Sequence, residues 1–128
     1  MTHHFPIRVY YEDTDLAGIV YYANYLKFIE RARSEWVREL GIDQVAMKAD
    51  GFVFAVRRIE ADYLLPARFD DVLQVETTLE ENTGARLVLR QEVSRGGVPL
   101  FVATVTLVCL NTAGAVVRLP EAIRRSVH

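Results

Sequence analysis

Residues 13–25 read DTDLAGIVYYANY and connect a β-rich segment to a predicted long helix. Upstream, residues 7–11 are rich in strand-forming side chains. Downstream, apolar residues recur at steps of three and four, the period of one buried helix face, at Tyr22, Tyr25, Leu26, Phe28, Ile29, Ala32, Trp36, Val37 and Leu40. The sequence therefore predicts a loop that ends where a buried helix begins.

A loop of this kind can carry chemistry. The first N–H groups of a helix have no intrahelical acceptor, and the helix dipole places partial positive charge there. Asp15 lies just before this point, so a carboxylate and an oxyanion donor are expected close together. Such a site can hold a carbonyl oxygen or an anion next to a carboxylate. The structural alternative for Asp15 is a turn residue that binds loop N–H groups.

Length and composition predict one domain over residues 1–128, because 51% hydrophobic content is enough for a single core. The net charge of −2 gives no basic field for nucleic acid. The N-terminus does not resemble a signal peptide, and no apolar run is long enough to insert into a membrane, so we expect a cytoplasmic protein. The single cysteine, Cys109, is expected to be a small buried apolar residue.

The rest of the chain is rich in predicted strands separated by turn signals, at residues 52–65, 72–83, 86–94, 99–111 and 116–118. In the first of these, alternation predicts one shared face formed by Val53, Ala55, Arg57, Ile59, Ala61, Tyr63 and Leu65. One long helix against antiparallel strands is an α+β arrangement in which the sheet curves around the helix. Because one helix cannot cover every edge of such a sheet, a homo-oligomer is expected.

Residues 11–25, YEDTDLAGIVYYANY, followed by ERAR at 30–33, resemble the signature of hotdog-fold acyl-CoA thioesterases of the 4-hydroxybenzoyl-CoA thioesterase family. The chain is similar especially to the bacterial branch found with the Tol-Pal envelope system, and the likeness extends over nearly its whole length. The resemblance implies a long central helix wrapped by a curved antiparallel sheet of five to six strands. It also implies dimers whose sheets join edge to edge, commonly assembled into tetramers, with the active site at the dimer interface.

The resemblance also implies roles for particular residues. The position that matches Asp15 is the catalytic carboxylate, and the backbone N–H that matches Tyr22 polarises the thioester carbonyl. Many members of the Tol-Pal branch have histidine where this chain has Tyr22, whereas the hydroxybenzoyl enzymes have tyrosine there. Gly18, Ile19 and Val20, in the same loop, are expected to contact substrate.

Three further residues are candidates for substrate binding. Glu30 matches a position that faces the acyl end of the pocket, although on a helix it can instead pair with Lys27 or Arg33. Arg57 and Arg86 are expected to bind the phosphates of CoA, because the arginine fork fits oxyanions.

Two other polar features have plainer interpretations. Asn24 is expected to cap the helix rather than to contact substrate. His3, His4 and His128 lie at the chain ends, where flexible termini are expected rather than a metal site.

Thioester hydrolysis needs a group that attacks the carbonyl or activates water and a donor for the carbonyl oxygen, and a carboxylate beside a helix start supplies both without metal or cofactor. The sequence is therefore interpreted as an acyl-CoA thioester hydrolase, with acyl carrier protein as a further candidate partner. An alternative is a hotdog-fold scaffold that binds acyl-CoA, acyl carrier protein or a Tol-Pal partner without turnover. A second alternative comes from the Asp13-x-Asp15 pair, which superficially resembles the paired aspartates of magnesium-dependent haloacid-dehalogenase-type phosphatases. That fold needs repeated βαβ units, which one helix followed by hairpins does not provide.

Overall fold

The computed structural model describes residues 1–128 as an antiparallel sheet curved around one long helix. Its elements in chain order are β1 (Thr2–Arg8), α1 (Asn24–Glu39), α2 (Gln44–Ala49), β2 (Val53–Tyr63), β3 (Val72–Asn82), β4 (Arg86–Arg95), β5 (Val98–Leu110), β6 (Val116–Val117) and α3 (Glu121–Ser126). The strand order is β1-β3-β4-β5-β2, and β6 pairs with the end of β5. The predicted α+β class is confirmed, and the phosphatase alternative is wrong because every strand pair is antiparallel.

Helix α1 is buried along the face that the sequence period predicts. Its buried residues are Tyr25, Phe28, Ile29, Ala32, Arg33, Trp36 and Val37. Two predicted members of this face do not belong to it, because Leu26 is 38% exposed and Tyr22 lies before the first helical residue. The concave sheet face packs against the helix with alternate residues such as Leu89 and Val93 of β4 and Phe101 and Val105 of β5, all fully buried. Cys109 is also buried, as expected.

A β-bulge in β2 changes the predicted alternation of its side chains. Val56 pairs with Leu107, but the next pair is Arg58 with Thr106, so Arg57 is an extra residue. Because directly paired residues share a sheet face, Phe54 and Val56 lie on the same face as Ile59, Ala61 and Tyr63. The predicted face is therefore wrong for Val53, Ala55 and Arg57, which precede or form the bulge.

The first strand begins earlier than the sequence indicates. β1 covers Thr2–Arg8 and pairs with β3, whereas Tyr11–Asp13 forms a single 3₁₀ turn. His3 and His4 are therefore strand residues, and the expectation of a flexible N-terminus is wrong. His3 is also held from α1, with its Nε2 atom 2.9 Å from Glu39 Oε2.

The other edge of the sheet is open. Within the chain β2 pairs only with β5, so its outer row of N–H and C=O groups has no strand partner. Exposed apolar side chains lie along this strand and on the residues after it, at Val53, Val56, Tyr63, Leu64 and Leu65.

None of the helices is both long and apolar enough to cross a membrane. The structure has no group of three or more His, Cys, Asp or Glu side chains arranged to hold a metal ion.

Candidate functional site

The loop before α1 is a small hairpin that carries Asp15 at its base. Thr14 and Val20 form an antiparallel bridge, and the Asp15 N–H donates to the Ile19 carbonyl at 2.9 Å. Gly18 turns the chain at a φ of +79°, a conformation that favours glycine, and its N–H donates to the Asp15 carbonyl. The backbone of Asp15 is therefore fixed on both sides of the turn.

The Asp15 carboxylate is exposed and only partly used by the loop. Its Oδ1 atom accepts a hydrogen bond from the Ala17 N–H at 2.9 Å, which is the turn interaction that the structural alternative expects. Its second oxygen accepts no hydrogen bond from the protein. The carboxylate lies near Tyr21. The pKa of the Tyr21 phenol is raised, mainly by its hydrogen bond with the Tyr22 side chain and to a smaller extent by the charge of Asp15. One oxygen of Asp15 thus orients the group, and the other is open to a reacting molecule.

The backbone N–H of Tyr22 is unpaired at the start of α1. The neighbouring N–H groups of Tyr21 and Asn24 donate to the carbonyls of Asp13 and Tyr21, at 2.9 and 2.8 Å. The Tyr22 N–H donates to no acceptor in the protein, whereas its carbonyl accepts from the Tyr63 hydroxyl at 2.9 Å. The peptide on each side of Tyr22 is therefore held, and an oriented donor is left free two residues before the helix.

Asn24 supports this arrangement in a way that the sequence did not indicate. The capping position of α1 is Ala23, which has no side-chain hydrogen bond to give. Asn24 is the first helical residue, and its Nδ2 atom donates to the Asp13 carbonyl at 2.9 Å. The capping prediction for Asn24 is wrong, because its side chain reaches back to the loop instead of to the helix N–H groups.

An apolar cavity of about 310 Å³ opens beside the Tyr22 backbone, lined by Ile19, Val20, Tyr22, Tyr25, Tyr63, Leu64, Leu65 and Pro66. Burial raises the pKa of the Tyr63 phenol, which keeps it protonated as a donor to the Tyr22 carbonyl. Tyr25 stacks on Phe101 with ring centroids 4.9 Å apart, so the wall of the cavity is continuous with the core. The structure therefore brings Ile19, Val20 and Tyr22 to one cavity, whereas Gly18 and Asp15 lie in the adjoining turn.

Glu30 lies on α1, about 9 Å along the helix axis from the first helical residue, Asn24. Here a second cavity of about 200 Å³ separates the helix from β2, and its lining includes Glu30, Arg33, Phe54 and Val56. Glu30 accepts from the Ser34 hydroxyl at 3.1 Å and forms an ion pair with neither Lys27 nor Arg33, so the predicted pairing is wrong.

Arg33 and Gln91 form a buried polar cluster that the sequence analysis missed. Arg33 is 9% exposed and donates one hydrogen bond, from Nη1 to Gln91 Oε1 at 2.9 Å. Gln91 uses its amide nitrogen for the Ile29 carbonyl and the Thr77 hydroxyl, both at 2.9 Å. Burial lowers the pKa of the Arg33 guanidinium, and the nearby charge of Glu30 opposes that change. The sequence does not indicate that Arg33 and Gln91, 58 positions apart, are in contact. The one available signal is Arg33 itself, because an arginine within an apolar helix face is unusual.

The structure places both nominated arginines at a third cavity, of about 430 Å³, lined in part by Arg57, Arg58, Arg86 and Thr106. Arg86 lies on the sheet face opposite α1, since its strand partner is Val108 and the neighbouring pair is the inward-facing Leu87 and Leu107. Two of the guanidinium groups contact carboxylates, Arg58 with Glu60 at 3.2 Å and Arg86 with Glu81 at 3.4 Å. Arg57 lies near the middle of β2, about 20 Å along the strand from Tyr63.

Comparison with known proteins gives one consistent family. The model of the thioesterase-like superfamily matches residues 9–127. An acyl-CoA thioesterase of Haemophilus influenzae, YbgC, is 39% identical over 126 residues, which cover 97% of this chain and 93% of that protein. A probable thioesterase from Bartonella henselae, known as a crystal structure, is 37% identical with a TM-score of 0.89 and covers 94% of this chain and 100% of its own.

A more distant structure has the same fold. A 4-hydroxybenzoyl-CoA thioesterase mutant, solved in complex with 4-hydroxybenzoyl-CoA, aligns with a TM-score of 0.91 at 22% identity. That alignment covers 99% of both chains.

Proposed function

The chain belongs to the thioesterase-like superfamily and is an acyl-CoA thioester hydrolase, and we propose that Asp15 and the Tyr22 N–H are its catalytic groups. The observation that carries the proposal is the unpaired Tyr22 N–H, which is held at the start of α1 beside an apolar cavity. A free backbone donor in an apolar setting suits an oxygen that becomes negative during reaction. The Asp15 carboxylate lies two residues after the 3₁₀ turn, and its second oxygen, which accepts no hydrogen bond from the protein, supplies the attacking or proton-accepting atom.

The proposed reaction follows from these two groups. The thioester carbonyl oxygen accepts a hydrogen bond from the Tyr22 N–H, which makes the carbonyl carbon more electrophilic. An oxygen nucleophile then adds to that carbon, the carbon–sulfur bond breaks, and CoA leaves as the thiolate. The nucleophile is either an oxygen of Asp15, which gives an anhydride that water later opens, or a water molecule that transfers its proton to Asp15.

The three cavities suggest how a long substrate lies on the protein. In the proposed orientation, the thioester is next to Tyr22 and the acyl group extends along α1 towards Glu30. Ile19 and Val20 contact the substrate near the thioester, and Gly18 contributes by shaping the turn. Arg57 and Arg86 bind the phosphates of CoA, and because their cavity lies on the sheet face opposite α1, the CoA chain must leave the α1 side of the sheet to reach them.

We further propose that the working form is a homo-oligomer, a dimer joined through the open edge of β2 and then a tetramer. The edge is long, exposed and unpaired within the chain. The Tyr22 cavity includes Tyr63 at the end of β2 and Leu64 and Leu65 just after it, so a partner on this edge lies next to the cavity. A second copy would therefore exclude water from a site that is open in one subunit.

The experiment that tests the proposed function is a thiol-release assay over short, long and aromatic acyl-CoAs. The proposal predicts turnover of at least one class. Acyl-CoA binding without release of CoA across the whole panel would instead support the non-catalytic scaffold. Acyl carrier protein esters belong in the same assay, because they present the same thioester on a protein carrier.

Isotope labelling can identify the anhydride route for Asp15. Single-turnover hydrolysis in ¹⁸O-labelled water, followed by mass analysis of the protein, reveals label in Asp15 only when an anhydride forms and water opens it at the Asp15 carbonyl. Unlabelled protein and labelled product acid are expected for the general-base route, and also for an anhydride that water opens at its acyl carbonyl.

The proposed compartment is the cytoplasm, and the proposed cellular setting is the Tol-Pal system that the sequence resemblance implies. Both can be tested in cells that express the tagged protein. Recovery in the cytoplasmic fraction supports the first proposal, and co-purification with Tol-Pal components from cross-linked cells supports the second.

A further inference from the structure

Residues 66–71 join the two halves of the proposed catalytic site. The N–H of Ala67 donates to the Tyr25 hydroxyl at 3.0 Å, in the first turn of α1 and three residues after Tyr22. The carbonyl of Ala67 accepts from the Val20 N–H at 2.8 Å, five residues after Asp15. Ala67 is fully buried, so these bonds are shielded from competing water. One residue therefore sets the separation between the Asp15 turn and the start of the helix.

The same segment is held from its other side by Arg95, the last residue of β4. Arg95 Nη1 donates to Asp71 Oδ2 at 2.7 Å and to the Pro66 carbonyl at 3.3 Å. Asp71 Oδ2 also accepts from the Arg68 N–H at 2.8 Å. Both ends of the segment are thus tied to one guanidinium, through charge-assisted hydrogen bonds that are stronger than neutral ones.

Neither Asp71 nor Arg95 lines any of the three cavities where substrate is proposed to bind. Their hydrogen bonds reach the site through the backbone of residues 66–68, which bridges Ile19 as well as Val20. Burial raises the pKa of the Tyr25 phenol, and their charges act on it in opposite directions, Arg95 lowering it and Asp71 raising it. An effect of these side chains on the reaction would therefore be an effect on geometry.

We propose that Asp71 and Arg95 are positioning residues for thioester hydrolysis, which clamp residues 66–71 and so fix the distance between the Asp15 carboxylate and the Tyr22 N–H. This inference rests on the proposed function. Misplacement of a reacting group by about 1 Å from a remote change can cost on the order of 10²-fold in rate. Because neither Asp71 nor Arg95 contacts the substrate in the proposed orientation, the loss should be in kcat more than in KM.

The test compares Arg95→Ala and Arg95→Lys with a matched control, Arg8→Ala. Arg8 makes the same kind of contact with the neighbouring residue of the same segment, from Nη1 to Asp70 Oδ1 at 2.8 Å and to the Asp70 carbonyl at 3.4 Å. It does not contact Pro66 or Asp71. Arg95→Ala should lower kcat about 10- to 100-fold with KM changed by less than about threefold, Arg95→Lys should recover much of the loss, and Arg8→Ala should stay within about twofold of the parent.

Three results would overturn the inference: parent-like kcat in Arg95→Ala, a rise in KM alone, or an equal loss in Arg8→Ala. The first shows that the clamp is dispensable, the second that Arg95 binds substrate, and the third that any damage to this segment suffices. If Arg95→Ala does not fold, Asp71→Asn replaces it, since the amide keeps an acceptor for the Arg68 N–H but weakens the hold of Arg95. Failure of the proposed function is distinguishable, because it appears as an inactive parent or a fully active Asp15→Asn variant.

Discussion

At Tyr22 the backbone and the side chain have separate roles. The N–H is the proposed oxyanion donor, whereas the side chain forms part of the cavity wall, and the residue as a whole is 62% exposed. Tyr22→Phe and Tyr22→His should therefore retain most of the turnover. Tyr22→Pro removes the N–H, and a folded variant should lose on the order of 10²- to 10³-fold in kcat, the usual scale for one oxyanion donor.

The proline variant is informative only if its helix content and oligomeric mass match those of the parent by circular dichroism and light scattering. With that control, equal damage in Tyr22→Phe and Tyr22→Pro would assign the chemistry to the phenol and reject the backbone donor.

The buried amide of Gln91 is expected to be important for stability. Gln91→Leu would leave the Arg33 guanidinium without its single acceptor and the Ile29 carbonyl without the donor it receives from the side chain. Loss of one partner of a buried charged group should lower the free energy of unfolding by about 2–4 kcal/mol, measured by urea denaturation. Gln74→Leu, on the same sheet but only half-buried, is the control and should change it by less than about 1 kcal/mol. A Gln91→Leu variant as stable as the parent would show that Arg33 is satisfied in another way.

The candidate site was predictable where the chemistry is local. The carboxylate, the glycine turn and the helix start lie within ten residues of one another, so one stretch of sequence carries all three. The Arg33–Gln91 and Asp71–Arg95 contacts were not predictable, because they join residues 58 and 24 positions apart and depend on the strand register. The role of Asn24 was also predicted wrongly. An asparagine side chain can either cap the N–H groups of a helix or, as here, donate to a carbonyl of the preceding loop, and the residue type is the same in both cases.

Among the elements, the loop at residues 66–71 should make stability depend on pH. Burial raises the pKa of Asp71, but the Arg68 N–H and the Arg95 guanidinium more than offset this and lower it below its ordinary 3.8. A group with a lowered folded-state pKa stabilises the protein above its unfolded-state pKa, and this contribution is lost as pH falls through the folded-state value.

The measurement is urea denaturation of the parent and of Asp71→Asn between about pH 6 and pH 2, which extends well below the ordinary pKa of 3.8. At the higher pH the parent should have a larger free energy of unfolding than Asp71→Asn. This difference between the two proteins should shrink towards the acid end, where Asp71 becomes protonated. A difference that is independent of pH would show that the charge of Asp71 is not what stabilises the loop.

Elements with a regular period were predicted well, and irregular ones were not. The buried face of α1 was predicted because apolar residues recur at every turn of the helix, so the pattern is repeated several times in the sequence. In β2 a single extra residue at Arg57 reverses which side chains face the helix, and alternation alone does not show where a bulge falls. β1 begins at Thr2 because pairing with β3 stabilises polar residues that have little strand propensity of their own.

For the whole molecule, the open edge of β2 predicts that a stable monomer does not form. Light scattering at micromolar concentration should give at least twice the chain mass of 14.6 kDa. Hydrogen exchange should locate the interface between subunits. Within one chain β5 can pair with only one side of β2, so protection of amides along the full length of β2 would indicate that a second copy covers the other side. A monomer mass with fast exchange along the outer side of β2 would contradict the proposed interface.

The most direct test of the account is single-turnover thiol release by Asp15→Asn, with enzyme in excess over an acyl-CoA that the parent hydrolyses. The amide keeps the size of the side chain and its acceptor for the Ala17 N–H, so the turn should survive while the charge is lost. Glu12→Gln, which changes an exposed carboxylate three residues away, is the matched control and should react at nearly the parent rate. We predict a loss of about 10²- to 10⁴-fold for Asp15→Asn. A rate above about a tenth of the parent value would contradict the assignment of Asp15 and, with it, the central claim that this carboxylate and the Tyr22 N–H hydrolyse the thioester.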